Sequence, residues 1–173
     1  EDDRFYQHSG VDYIGILRAA LHNLVSNNRQ GASTITQQVA RNFFLTSEQT
    51  FKRKLYEVLL AWKIERTLTK DQILEIYLNQ IYLGQRAFGF ASAAQVYFGK
   101  PLQDITLAEA AMLAGLPKAP SANNPITNPT RAKQRQQYIL LRMKQLGYVT
   151  DQEYEKAKNE EIKVKTSRNE FSV

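Results

Sequence analysis

Two short stretches of this chain carry side chains in patterns that suit chemistry better than packing. Gly31-Ala32-Ser33-Thr34-Ile35-Thr36-Gln37-Gln38 sets two hydroxyls, Ser33 and Thr34, one helical repeat ahead of two amides, Gln37 and Gln38. Ser and Thr are indifferent helix formers, and adjacent glutamines add little to a core. Gly31 just ahead permits another backbone or a ligand to come close. The expectation is a polar groove at a helix start, where free N–H groups favour an anion. The second stretch is Arg53-Lys54-Leu55-Tyr56-Glu57. Arg53 and Glu57 stand at i,i+4 with Lys54 beside them, so two cations and a carboxylate share one surface. The same residues would also serve as a surface helix start followed by a solvated salt bridge.

Helices must hold these groups. From Val11, residues Ile14, Leu17, Leu21 and Leu24 fall on one apolar stripe of helical period. Ser26 to Gly31 is a polar break, expected to be a mobile loop. A helix then runs through Ile35, Val39 and Phe43, with Arg41 and Asn42 extending its polar face, until Thr46-Ser47 interrupts. An amphipathic helix is predicted over Phe51 to Thr67. Its inner stripe is Leu55, Leu59 and Trp62, with Lys54, Glu57 and Ala61 on another face; Trp62 reads as a core anchor. Thr69 and Gln72 form a capping-box pair that opens Lys70 to Ile81, stopped at Gly84.

The second half continues the pattern. A small-residue helix is predicted over Phe90 to Phe98, ended by Gly99 and Pro101. Thr106 and Glu109 cap a helix that is apolar nearly all round and therefore central. Pro117, Pro120, Pro125 and Pro129 mark a long loop carrying Lys118, Ser121, Asn123 and Asn124. Thr130 starts another helix, stopped by Gly147, and Thr150 with Glu153 caps a last short one. Glu161 to Thr166 alternates apolar and charged residues, as an edge strand or a linker would, and the tail beyond is polar. The sum is one mainly α domain of about eight helices. Its polar, cationic groove lies near Ser33, Gln38, Arg41 and the Lys54/Glu57 face.

Composition narrows the classes. The 173 residues are 43% hydrophobic and 23% charged, ordinary for a soluble globular chain with a real core. The net charge of +6 suits an anionic partner without choosing among nucleic acid, lipid headgroups and phosphorylated substrates. Cysteine is absent, so there is no disulfide and no thiolate metal site. The two histidines, His8 and His22, lack metal-binding spacing. No apolar run reaches the ~20 residues needed to cross a bilayer. No aromatic–basic interleaving or helix-turn-helix spacing favours nucleic acid. The opening at Glu1-Asp2-Asp3-Arg4, without Met, is what an excised piece of a longer chain would show.

Five segments occur here in order: EDDRFYQHSG, GASTITQQ, RKLYE, KDQILEIYLNQIYLG and AMLAGLPKAPSANNP. Together they resemble the peptidoglycan glycosyltransferase domain of class A penicillin-binding proteins, glycosyltransferase family fifty-one. GASTITQQVARNFFL is most similar to type 1A members from Gram-negative bacteria. The resemblance implies a lysozyme-like helical domain with a smaller, membrane-apposed jaw lobe, here over residues 1–160, with 161–173 a linker or the start of a following region. It implies a fragment of a bifunctional glycosyltransferase/transpeptidase at the periplasmic face of the bacterial inner membrane.

The implied reaction is polymerisation of lipid II into β-1,4-linked glycan with inversion and release of undecaprenyl pyrophosphate. By the same resemblance Glu1 is the general base. Glu57 orients Lys54 or Arg53, or helps hold a divalent ion (Mg or Mn) near the pyrophosphate; no protein metal site is otherwise implied. Ser33, Thr34, Gln38, Arg41, Arg53 and Lys54 become donor and pyrophosphate contacts, and Asn124 a further groove residue. Phe5, His8 and Gly10, and Glu75, Tyr77 and Asn79, read as structural. The partners implied are lipid II, the growing glycan strand, the membrane and other cell-wall synthesis proteins. The alternative is a lysozyme-like hydrolase or lytic transglycosylase, which needs a protonated glutamate and has no pyrophosphate for Arg41, Arg53 and Lys54 to hold.

Overall fold

The computed structural model describes residues 1–26, 30–45 and 50–165. The chain forms two compact units, Glu1–Leu78 and Asn79–Val173. The first unit holds a 3-10 turn at Phe5–Gln7, then α1 (Tyr13–Val25), α2 (Ile35–Phe44), α3 (Phe51–Thr67) and α4 (Lys70–Gln80), which runs across the boundary. The second holds α5 (Phe90–Phe98), a 3-10 turn at Leu102–Asp104, α6 (Leu107–Ala114), α7 (Pro129–Gln145) and α8 (Asp151–Asn159). Among the described residues there is no strand, only an isolated antiparallel bridge between Tyr82 and Phe88. The mainly α expectation holds. Thr46-Ser47, part of the Ser26–Gly31 break and the tail from Thr166 lie outside the described residues.

Helix starts follow their caps. The Thr69–Gln72, Thr106–Glu109 and Thr150–Glu153 boxes all form, each with a hydroxyl accepting from the third backbone N–H and a side chain returning to the cap. Asp12 caps α1 by accepting from Gly15 N–H at 3.0 Å, and Thr50 caps α3 by accepting from Arg53 N–H at 3.1 Å.

Two helices turn the opposite way from the apolar-stripe expectation. In α1 the buried residues are Gly15 and Ala19, while Ile14, Leu17, Leu21 and Leu24 are exposed. In α3 the buried positions are Glu57, Ala61 and Ile64, while Leu55 and Leu59 face out. On its inner face α3 meets the opening loop. Gly10, at φ +105°, lies so near α3 that a Cβ there would sit 3.2 Å from the Ala61 carbonyl. The opening loop thus rests directly on the α3 backbone at Ala61, which is fully buried, and the leucines lie away from this contact. Packed against α3 is α2, buried at every residue from Ile35 to Ala40.

The second unit has a core of Ala108, Ala111, Leu140, Tyr154 and Ala157, flanked by Leu107, Ile139, Val149 and Ile162. The central place expected for α6 is thus observed. Glu109 is buried beside this core. Burial alone would raise its pKa, but hydrogen bonds from Lys100 and Thr106 and the Lys100 charge hold it below the usual carboxylate value. Residues 161–165 form no strand. Ile162 instead packs on the helices, and Lys165 N–H bonds Tyr97 O at 2.8 Å. The alternation expected of a strand here reflects one side lying on helices, since no described strand is available to pair with.

Gly89 sits at φ +83°, ψ 158°, a region essentially restricted to glycine, and a Cβ would lie 2.2 Å from the Asn79 carbonyl oxygen. Gly89→Ala should therefore lower unfolding free energy by at least about 2 kcal/mol, read as a drop in urea midpoint. An unchanged midpoint would mean that the backbone relaxes freely there.

Candidate active site

The first unit brings together Glu1, Ser33, Thr34, Gln38, Arg41, Arg53, Lys54 and Glu57; Asn124 belongs to the second. The opening loop is pinned by Asp2. Its Oδ2 accepts from Ile35 N–H in the first turn of α2 at 3.1 Å and from His8 Nε2 at 2.8 Å, with both side chains almost fully buried. Gly10 N–H donates to His8 Nδ1 at 3.1 Å, so Nδ1 is the acceptor and the ring carries its proton on Nε2. Next to this anchor Glu1 is exposed, and its Oε2 accepts from Gln38 Nε2 at 3.2 Å. A carboxylate open to solvent but held by an amide is well placed to take a proton.

Ser33 and Thr34 do not pair with Gln37 and Gln38 at i,i+4, because the helix begins only at Ile35. Thr34 instead forms a capping box with Gln37. Its hydroxyl accepts from Gln37 N–H at 3.1 Å and donates to Gly10 O at 2.7 Å, and its N–H reaches Gln37 Oε1 at 2.9 Å. At 2% exposure, with these groups committed, Thr34 serves the helix start rather than a ligand. The Thr34-x-x-Gln37 spacing is a readable capping signal that the i,i+4 reading passed over.

Lys54 joins the two chemical stretches. Its Nζ donates to Ser33 Oγ at 2.9 Å and to Glu57 Oε1 at 2.8 Å. The ion pair is therefore i,i+3 from Lys54, where Arg53 at i,i+4 was also in view. The Lys54 side chain is half exposed while that of Glu57 is buried, and Glu57 Oε2 has no hydrogen-bond partner among the described residues. Arg53 lies in the first turn of α3 and Arg41 in the last turn of α2, both partly buried. Among the described residues no three His, Cys, Asp or Glu side chains group as a metal site.

Several supporting residues carry no site signal in the sequence. Glu65 Oε1 accepts from Thr36 Oγ1 at 2.7 Å and from Lys70 Nζ at 2.6 Å, and Lys70 lies 4.5 Å from the Phe5 ring centroid. These contacts tie α2, α3 and α4 to the opening loop. Tyr77, read from sequence as structural, donates its hydroxyl to Gln38 Oε1 at 3.4 Å. Asn124 is buried in its own unit, where its Oδ1 accepts from Ile126 N–H at 2.8 Å and closes a turn of the proline-rich loop. That commitment, rather than a groove contact, is what its geometry displays.

A family model described as Transglycosylase matches residues 1–144. The chain is 62% identical over 165 residues to a Cupriavidus necator protein named "Putative transglycosylase", covering 95% of this chain and 71% of that one. It is 66% identical over 163 residues to penicillin-binding protein 1A of Neisseria gonorrhoeae, covering 94% of this chain but 20% of the relative. It thus spans about a fifth of that protein's length. Among solved structures, penicillin-binding protein 1A from Haemophilus influenzae matches with TM-score 0.55 and 47% identity over 57% of this chain and 15% of that one.

Thr34→Ser, which keeps the hydroxyl and loses one buried methyl, should cost about 1 kcal/mol or less. Thr34→Val should cost about 1–3 kcal/mol, because it loses the cap and leaves Gly10 O unpaired. Urea denaturation of the two variants checks this; equal stabilities would remove the capping role.

Proposed function

This chain belongs to the transglycosylase family, and we propose that it polymerises lipid II into β-1,4-linked glycan strands, releasing undecaprenyl pyrophosphate. The peptidoglycan glycosyltransferase activity is that of the family; the identity of donor, acceptor and leaving group is our reading. The observation that carries it is the pairing, within one unit, of an exposed carboxylate fixed by Gln38 with an ammonium bridged to Ser33 and Glu57. Glu1 takes the proton from the acceptor's 4-hydroxyl as that oxygen attacks the anomeric carbon. The bond to the pyrophosphate oxygen breaks on the opposite face, which inverts the centre. Negative charge grows on the leaving pyrophosphate, and Lys54, Arg53 and Arg41 are the cations in this unit assigned to receive it. A neutral glycosidic bond would make no such demand.

The resemblance also implies a divalent ion near the pyrophosphate. Glu57 does not fit as its ligand: the residue is fully buried, one oxygen is bonded to Lys54, and the other is sealed from solvent, so an ion carried in on the substrate would not reach it.

A polyprenyl-linked substrate requires the unit to lie against lipid. No described helix is long and apolar enough to cross a membrane. Yet α1 exposes Leu17, Leu21, Leu24 and Val25, the last two at 83% and 91%, and α3 exposes Phe51 at 98%. An apolar outer face of this kind suits the periplasmic surface of the inner membrane, where the precursor, the growing strand and other cell-wall synthesis proteins would meet it.

Polymerisation of purified lipid II, resolved by glycan length, tests the reading. Wild type should yield polymer, and Glu1→Gln should be at least ~10²-fold slower with its fold intact. Full activity in Glu1→Gln would reject the assigned base, and cleavage of pre-made glycan by wild type would move the assignment to a hydrolase. For the lipid contact, Leu17→Ser with Leu24→Ser should shift stability by no more than about 0.5 kcal/mol per site yet weaken flotation with anionic vesicles. Undiminished flotation would exclude α1 as the contact.

A further inference from the structure

We propose that Tyr77 is a positioning residue for the general base, acting through the Gln38 amide to hold the Glu1 carboxylate in place as a proton acceptor. The inference rests on the assignment of Glu1 above and adds a residue that the sequence reads as scaffold. The geometry is a relay from α4 through α2 to the opening loop. Tyr77 Oη donates to Gln38 Oε1 at 3.4 Å, and Gln38 Nε2 donates to Glu1 Oε2 at 3.2 Å. Tyr77 is 4% and Gln38 5% exposed, so water has little access to either side chain.

The chemistry of each group fixes the direction of the relay. An ionised carboxylate only accepts hydrogen bonds, so the amide must present its NH₂ to Glu1. The two ends of a primary amide have nearly the same shape, and packing alone hardly distinguishes them. What distinguishes them is the partner on each side: the Glu1 carboxylate takes the NH₂, and a phenol that keeps its proton supplies a donor to the carbonyl and reinforces that orientation. Burial, then the Glu1 charge, raises the Tyr77 pKa well above the ordinary phenol value, against the opposing pull of Arg41. Tyr77 therefore stays an O–H donor through any pH at which a glutamate base works.

Without that hydroxyl the amide loses half of what keeps its carbonyl turned away from Glu1, and a buried carbonyl oxygen is left without a donor. A flipped Gln38 would set a carbonyl oxygen against the carboxylate, which disfavours the charged form and raises the pH needed to ionise the base. The charges felt at Tyr77 are Glu1 and Asp2 from the opening loop and Arg41 from α2. Asp2 is itself committed to His8 and Ile35 N–H. All of these remain in a Tyr77→Phe variant.

The test is the pH profile of lipid II polymerisation for wild type, Tyr77→Phe, Gln38→Ala and the double variant, with thermal melts alongside. Polymer from wild type is the precondition; its absence would sink the functional reading itself rather than the relay. Tyr77→Phe should lower kcat roughly tenfold at neutral pH with little change in KM. It should also move the acid limb of kcat/KM upward by roughly half to one pH unit. In the Gln38→Ala background the same substitution should do almost nothing, because the relay is already cut. An unmoved acid limb, or an equal loss in both backgrounds, would overturn the proposal. So would a Tyr77→Phe chain that no longer folds, since the hydroxyl would then serve stability.

Discussion

The first unit depends on one carboxylate. Asp2 Oδ2 takes a hydrogen bond from the N-terminus of α2 and another from a histidine whose remaining nitrogen is held by Gly10 N–H. A carboxylate at a helix start is favoured both by the unpaired N–H groups and by the macrodipole. Here the same atom fixes the neighbouring Glu1. The loop that carries Glu1, the proposed base, and the helix that carries its amide partner are thus one assembly. Thr34 reinforces it, donating to Gly10 O while capping α2. Burial strengthens each of these bonds and makes a missing partner costly.

Close approach of the opening loop marks the inner side of the inverted helix α3. Gly10 rests on the α3 backbone at Ala61, which is fully buried, and Leu55 and Leu59 lie on the outward side. In a chain surrounded only by water, exposing Leu55, Leu59 and Phe51 while burying Glu57 would be a poor arrangement. Against an apolar medium it is a sensible one, because the large side chains are then not facing water. The local packing constraint and the proposed lipid contact thereby account for the same residues from two sides.

Much of this was legible in the sequence, and the limits have physical causes. Helix positions were legible because capping pairs such as Thr106–Glu109 and stops such as Gly99 are local chemistry, independent of the rest of the fold. The residue types of the site were legible because Glu, Lys and Gln in these segments resemble a family pattern. Helix orientation was not. Periodicity identifies an apolar stripe but not the medium it faces, so Leu17 and Leu55 read as core when they lie outside. Nor could spacing show that Gln38 spans between Tyr77 and Glu1, since those residues are separated by 39 and 37 positions from it.

Glu57 shows what the site requires beyond stability. Its carboxylate is buried, with one oxygen on Lys54 and the other without a hydrogen-bond partner among the described residues. Removing such a charge from water costs several kcal/mol, by order of magnitude, and a pair with a half-exposed lysine recovers only part of that. A well-packed apolar side chain at 57 would give a more stable helix pair. It would also release Lys54, whose Nζ is now fixed between Glu57 and Ser33. A lysine free in solvent is a mobile charge; one held on two sides is a preorganised one, which need not reorient as a leaving group gathers charge. On this view the buried glutamate is a stability defect that fixes a cation, the one proposed above to meet the leaving group's charge.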